Sequence, residues 1–506
     1  MPWTQLRSGW QGVMAGPTAI DERSVSWKVL LPLDSGSRAL AIGLDLGGVA
    51  GLARSFGEVA CLDEEGTLRS MLESAGAVLW RVRDRITPVA KVGDLRRPYD
   101  CVAVGHGAPG EVPRPQELAD LLAPGGLLVC LGFAGCAWTG RDLRKAGFPA
   151  VQRYAALPRG QPRVFFPTES KALRAKGLRF HVPGSLRARR ALALVSVLNR
   201  LGLRFPLSRR GLLMASRNAS RPKGEGLGQW VSQVVGRPVE GLVVYAGSDS
   251  PNRKITALAV SEGGDEDVVV RVADTPAAER AVCRESDALR ALAGSPVAGQ
   301  VPRLVHEGHY GAHAVHVQGA LPPGRHVAQL TDAHRAFLVS LSNLGRATVP
   351  LCSTNLWRSV KETAARLTAA DLPDAVRSVL HRVLDLRFAS RPVVCHRIHG
   401  DFAPWNIRWN GKRLFVFDWE DSDPQGPALT DMYHFLYRQA SLVGPWRGEQ
   451  QMLRILREAG SRLTRAAGLP PDLQDTVLPV LMLAEYFRGP CRHMEDLMAA
   501  VMGGAM

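Results

Sequence analysis

The sequence predicts an α/β N-terminal part with a Rossmann-like parallel sheet, followed by an α+β two-lobed C-terminal part. Three observations carry this. Between 39 and 154, apolar strand segments alternate with helix-like segments, the pattern of a parallel sheet. After 227 the order becomes strands first and helices later, which suits an α+β arrangement. The 506 residues are too many for one ordinary core and suit about three domains or lobes.

The first 36 residues carry few signals, and 25–33 (VSWKVLLPL) reads as a strand or an entry segment. From Ala39 an apolar strand runs into Asp45-Leu46-Gly47, a glycine-bearing turn and a helix start. A second strand, EVACLD, ends at Asp63. A third, led by Asp100, covers 98–107, and 117–132 reads as helix, Pro-Gly-Gly turn and strand. Segment 142–154 repeats helix, turn and strand.

Over about 38–155 this part resembles the class I S-adenosylmethionine-dependent methyltransferases, on the loop 45–51, the acidic strand end at Asp63 and the LLAPGGLLV segment. The resemblance implies a Rossmann-like methyltransferase fold. It also implies S-adenosylmethionine as ligand, with Gly47 in the cofactor turn and Asp63 accepting the ribose hydroxyls. Val49 stands where the family has its central glycine, and its Cβ is expected to narrow the cofactor's approach. The favoured expectation is a degenerate domain serving docking or stability.

Formal net charge is +16, all of it in the first 224 residues. Residues 225–506 hold 30 Lys and Arg against 30 Asp and Glu, whereas 170–224 hold 14 basic residues and no acidic one. A uniformly basic nucleic-acid binder would spread its charge differently, and few aromatics accompany the arginines, so nucleic acid is not expected as a partner. Within the basic stretch, 186–203 reads as a helix with Ser185 as N-cap. Its nearly continuous apolar part suits docking on a domain or, alternatively, contact of 186–223 with an anionic membrane surface. A Gly/Pro/Ser linker at 216–226 sets the expected boundaries: 1–160, a connector 161–225, and 226–506. The eight cysteines form no CxxC pair, and no signal core or membrane-length apolar run occurs, so reduced thiols and a cytoplasmic location are expected.

The most informative stretch is 399–431, HGDFAPWNIRWNGKRLFVFDWEDSDPQGPALTD. Phosphoryl transfer needs a carboxylate to orient a hydroxyl and oxygen ligands to hold magnesium on the phosphates. Asp401, Asn406 and Asp418 have that chemistry in that order. Upstream, 241–261 reads as strand, turn and strand, with Gly247 and Ser248 where a loop would cover phosphates. Strand 267–274 carries Arg271 where a kinase keeps its phosphate-contacting lysine, and Glu285 on the following helix is placed to pair with it. Gln318-Gly319 falls near the expected hinge, which divides an N-lobe (226–318) from a mostly helical C-lobe (319–506).

Over about 227–500 this half resembles the aminoglycoside phosphotransferase and choline kinase-like family, on His399-Gly400-Asp401, Asn406, Asp418 and Asp431. The resemblance implies a protein-kinase-like fold using ATP and Mg²⁺. Asp401 would be the catalytic base, Asn406 and Asp418 the metal ligands, and Asp431 and His399 would support the loop. Trp405 reads as a packing aromatic or a sugar platform. Helices in 328–390 carry more basic than acidic residues, which favours a neutral or anionic small-molecule acceptor such as a sugar, polyol or glycan precursor over a polycation. The competing expectations are a non-catalytic nucleotide-binding scaffold and a bifunctional methyltransferase and kinase.

Overall fold

The computed structural model describes residues 23–31, 36–63, 66–74, 82–95, 98–105, 113–132, 136, 138–158, 162–180, 195–199, 211–217, 226–247, 252–262, 266–367, 372–444, 446–489 and 492–503. The chain divides into two compact units, 1–282 with 305–320 and 283–304 with 321–506.

The first unit is built on one long sheet. Its strands are β1 (Arg38–Ile42), β2 (Glu58–Leu62), β3 (Ile86–Val89), β4 (Tyr99–Val104), β5 (Leu122–Leu131), β6 (Ala150–Leu157), β7 (Val164–Pro167), β8 (Leu212–Ser216), β9 (Val239–Tyr245), β10 (Ile255–Ser261), β11 (Val268–Ala273), β12 (Leu304–Tyr310) and β13 (His313–Gly319). They lie in the order β12-β13-β11-β10-β9-β7-β6-β8-β5-β4-β1-β2-β3. The run β3-β2-β1-β4-β5 is wholly parallel and has the doubly wound order expected of a Rossmann-like sheet. The Pro-Gly-Gly segment is not a turn before β5 but part of the strand. Gly125 takes φ +89°, and a Cβ on Gly126 would stand 2.9 Å from the Tyr99 carbonyl, so the pairing with β4 shifts register there.

Beyond β5 the sheet turns antiparallel, with β8 between β5 and β6 and β7 beside β6. Strand β7 then pairs with β9 through Val164–Tyr245 and Phe165–Val244. The strands after 226 thereby continue the N-terminal sheet. Pairing of the two edges satisfies backbone groups that an isolated β9 would leave open. The apolar core follows the sheet: Val49, Val59 and Leu127 belong to the same buried cluster as Val244, Val270 and Val315.

The described residues of segment 25–33 do not form a strand. Residues Arg23–Leu30 form a 3₁₀ turn that buries Val25, Trp27 and Lys28. Lys28 is 1% exposed, yet its Nζ donates to the Gly51 carbonyl at 2.7 Å and to Asp274 Oδ2 at 3.1 Å. Arg253 approaches the same carboxylate at 3.5 Å. His313 Nε2 lies 2.9 Å from Ser55 Oγ nearby. Burial alone would raise the Asp274 carboxyl, but Lys28 and then Arg253 outweigh it and hold it at about 2. Burial, followed by Lys28, pushes the His313 ring down to about 4.

Both shifts make the unit acid-sensitive. His313 is favoured neutral, so its contribution is complete above about pH 6.5 and declines toward pH 4. Asp274 is favoured ionised, so its contribution is complete above about pH 4 and declines toward pH 2. Chemical denaturation across this range should show stability falling in two stages on acidification. His313→Gln should remove the upper stage and leave the lower.

In the second unit, β14 (Ala347–Pro350), β15 (Pro392–Ile398) and β18 (Asp423–Pro427) form an antiparallel sheet, while β16 (Ile407–Trp409) and β17 (Leu414–Val416) form a hairpin. Two helices matter for the site: α1 (Thr430–Arg438), buried along most of its length, and α2 (Leu473–Arg488). Both pack in the large core that includes Phe402, Trp419, Tyr433 and Leu481.

Among the described cysteines no disulfide occurs; Cys61, Cys101, Cys130 and Cys395 are buried, while Cys283 is exposed. Among the described residues no helix is long and apolar enough to cross a membrane. Most of the helix expected over 186–203 lies outside the described residues; 195–199 is helical.

Candidate active site

The site begins where β15 ends. A loop of 399–406 leaves the strand, and β16 and β17 return the chain to Asp418. The loop is pinned by its backbone: Asp431 accepts from the His399 amide at 2.7 Å and from the Gly400 amide at 2.9 Å. Asp431 lies in the first turn of α1, so the helix start and the loop are tied together. His399 is fully buried and completes the tie. Its Nε2 donates to the Phe417 carbonyl at 3.0 Å, its Nδ1 accepts from the Asp401 amide at 3.2 Å, and its ring packs 4.6 Å from Trp419.

Gly400 is required here. It takes φ +83°, and a Cβ would lie 2.0 Å from the Asp421 carbonyl oxygen. Gly400→Ala therefore combines left-handed strain of about 1–2 kcal/mol with a backbone clash. It should lower the melting temperature, as differential scanning fluorimetry would report.

Asp401 is mostly buried, its side chain 18% exposed, and both carboxylate oxygens accept hydrogen bonds. His434 Nε2 donates to Oδ1 at 2.9 Å. Asn406 Nδ2 donates to Oδ2 at 2.8 Å and to the Asp401 carbonyl at 3.0 Å, and Trp405 Nε1 reaches Oδ2 at 3.3 Å. Because the Asn406 amide nitrogen is committed to Asp401, its Oδ1 is the atom free to serve a cation. Asp418 takes a left-handed conformation, φ 73° and ψ 60°, at the head of the turn Trp419–Asp421. A non-glycine residue held there is strained, and such strain gathers at functional sites.

Behind Asp401 lies a buried charge network that the motif spacing does not reveal. His434 Nδ1 donates to Glu485 Oε1 at 2.8 Å. Glu485, 1% exposed, also meets Arg488 at 3.0 Å and Arg438 at 3.0 Å. Burial alone would raise the Glu485 carboxyl, but His434, Arg438 and Arg488 hold it well below the usual carboxylate range. Burial likewise works against a charged His434, and Glu485 and Asp401 outweigh it, so its pKa is raised. One signal for His434 existed in the sequence: it stands three residues after Asp431, on the same helix face.

The remaining predicted residues divide between the units. Arg271 is buried on β11, opposite Thr256 and His316. Gly247 takes φ +76° just after β9, and a Cβ there would meet the Lys254 carbonyl at 2.7 Å; Ser248 lies outside the described residues. Glu285 is fully buried on the helix Pro276–Leu292 and belongs to the second unit. In the N-terminal turn, Gly47 is buried within the helix Leu46–Ala53, and Asp45 caps that helix by accepting from the Gly48 amide at 2.7 Å. Val49 is 1% exposed and packs into the apolar core. Asp63 follows β2, and its Oδ1 accepts from the Leu68 amide at 3.1 Å. Among the described residues no group of three or more His, Cys, Asp or Glu could hold a metal.

A sequence model of the phosphotransferase enzyme family matches residues 253–469. Among solved structures, the chain is similar to an aminoglycoside-3'-phosphotransferase of type VIII, at 20% identity over 51% of this chain and 97% of that one, with a TM-score of 0.34. It is similar to a putative fructosamine-3-kinase from Haemophilus somnus, at 13% identity over 55% and 97%, with a TM-score of 0.36. It is also similar to a precorrin 8w decarboxylase from Methanobacterium thermoautotrophicum, at 25% identity over 29% and 84%, with a TM-score of 0.20. Comparison with curated proteins found no match. Residues 253–469, which include the motif set around Asp401, are thus the part of the chain that matches the phosphotransferase enzyme family.

Proposed function

We propose that the protein is an ATP- and Mg²⁺-dependent phosphotransferase whose acceptor is the hydroxyl of a small molecule, a sugar or a glycan precursor. The observation that carries this is the Asp401 carboxylate, held by donors on both oxygens in a loop whose backbone Asp431 pins. Asp401 acts as the base that receives the acceptor proton. Asn406, through its uncommitted amide oxygen, and Asp418 would hold Mg²⁺. An Asn–Asp pair fits an ion that takes its other ligands from phosphates and water. The bound ion supplies charge neutralisation on the phosphates. Gly247, Ser248 and Arg271 are assigned to phosphate contact and Glu285 to the support of Arg271.

For the N-terminal part we propose a structural role. Its sheet runs on into the strands after 226, and the Asp45 and Asp63 carboxylates each cap a helix of their own chain. Gly47 and Asp63 are then residues of a retained fold rather than of a working S-adenosylmethionine site. Titration calorimetry with S-adenosylmethionine should give no binding heat; a micromolar site would reverse this assignment. The phosphotransferase reading is tested by screening neutral and anionic hydroxyl compounds, with aminoglycosides alongside, for Mg²⁺-dependent ATP consumption. Acceptor-dependent ADP release that Asp401→Asn removes is the expected result. Equal turnover by the variant would defeat the reading.

A further inference from the structure

We infer that His434, hydrogen-bonded between Asp401 and Glu485, is a positioning residue for phosphoryl transfer that holds the Asp401 carboxylate at the angle the acceptor hydroxyl requires. The inference rests on the phosphotransferase reading. Its ground is the geometry of three side chains from separate segments: Asp401 on the loop, His434 on α1 and Glu485 on α2.

Both ring nitrogens of His434 face carboxylate oxygens, at 2.9 and 2.8 Å. An ionised carboxylate only accepts, so both nitrogens must donate and the ring is the imidazolium. The raised pKa of His434 agrees with that state. Glu485 cannot take the second proton away, because Arg438 and Arg488 hold it ionised. The charged groups facing the ring are thus Asp401 from the loop, Glu485 and Arg488 from α2, and Arg438 from its own helix.

Two consequences follow for Asp401. His434 binds Oδ1, while Asn406 and Trp405 bind Oδ2, so rotation of the carboxylate is blocked from both sides. The acceptor hydroxyl then meets a carboxylate whose direction is already set. The acceptor proton comes to rest on Asp401 and not on His434, whose nitrogens both carry protons. His434 therefore acts by aim and by charge, through Asp401, and is a group fixed by Glu485, 51 residues further along the chain, rather than by the loop itself.

The test uses the full-length protein, ATP and Mg²⁺ with water as acceptor, so no acceptor need be known. His434→Phe should lower kcat for ATP hydrolysis about 10²-fold, the cost of a misplaced reacting group, and leave KM for ATP within about twofold. His434→Gln, which keeps one N–H for Asp401, should recover at least about tenfold of that loss. In an Asp401→Asn background, His434→Phe should cost nothing further. Side-chain NMR of ¹⁵N-histidine protein supplies a readout independent of turnover. His434 should titrate above the ordinary histidine range, and Glu485→Gln should lower that midpoint. Wild-type kcat in His434→Phe, or an equal loss in the Phe and Gln variants, would overturn the inference. If the wild-type protein consumes ATP neither with water nor with any screened hydroxyl acceptor, the phosphotransferase reading fails. The NMR titration then decides the bridge alone, and a His434 midpoint at or below the ordinary value overturns it.

Discussion

Asp401→Asn is expected to lower the transfer rate by about 10²–10⁴-fold, the range for removing a positioned general base, while leaving ATP affinity within about twofold. The change keeps the side chain's size but removes its charge and replaces one acceptor oxygen with a donor amide. That amide would face either the Asn406 Nδ2 or the His434 Nε2, both of which already donate to this carboxylate. The variant should therefore lose both the base and the arrangement around it. The loop itself should survive, because Asp431 and His399 hold its backbone without using the Asp401 side chain. Steady-state kinetics with nucleotide titration separates these effects. Loss of nucleotide affinity in parallel with rate would point to collapse of the loop instead.

Lys28→Met is expected to destabilise the first unit by about 3–5 kcal/mol, the cost of leaving a buried charge without its partner. The ammonium is 1% exposed and joins the carbonyl of Gly51 to the carboxylate of Asp274. Arg253, at 3.5 Å, is too distant to replace it fully. Thermal melting should fall by about 10 °C for a unit of this size. Lys28→Met combined with Asp274→Asn should recover much of the loss, since no uncompensated charge then remains. An additive double variant would mean that the pair contributes no coupling.

The readable part of the chain was the part whose information is local. The strand–helix alternation before 160, the strand containing Arg271 and the spacing of 399–431 depend on residues near one another in sequence. The parallel strands and the pinned loop follow from them. Segment 25–33 stayed open between a strand and an entry segment because its apolar residues suit a strand as well as a buried 3₁₀ turn, and burial of Lys28 has no local signal. Only a carboxylate 246 residues away makes that lysine tolerable inside. Glu485 was equally illegible: in sequence it is one acid in an apolar helix, and in space it is the anchor of His434, Arg438 and Arg488.

By itself the sequence pointed to a Rossmann-like part and a part similar to the phosphotransferase family, and it set Asp401, Asn406, Asp418 and Asp431 in one motif. Short-range periodicity and spacing suffice for this, because one stretch of the chain, 399–431, carries all four. Tertiary structure alone decided that β7 and β9 join the two sheets into one, that Lys28 is paired, and that Asp401 is backed by His434 and Glu485. Buried charges are tolerated only where partners from distant segments converge, and that convergence is a property of the folded chain.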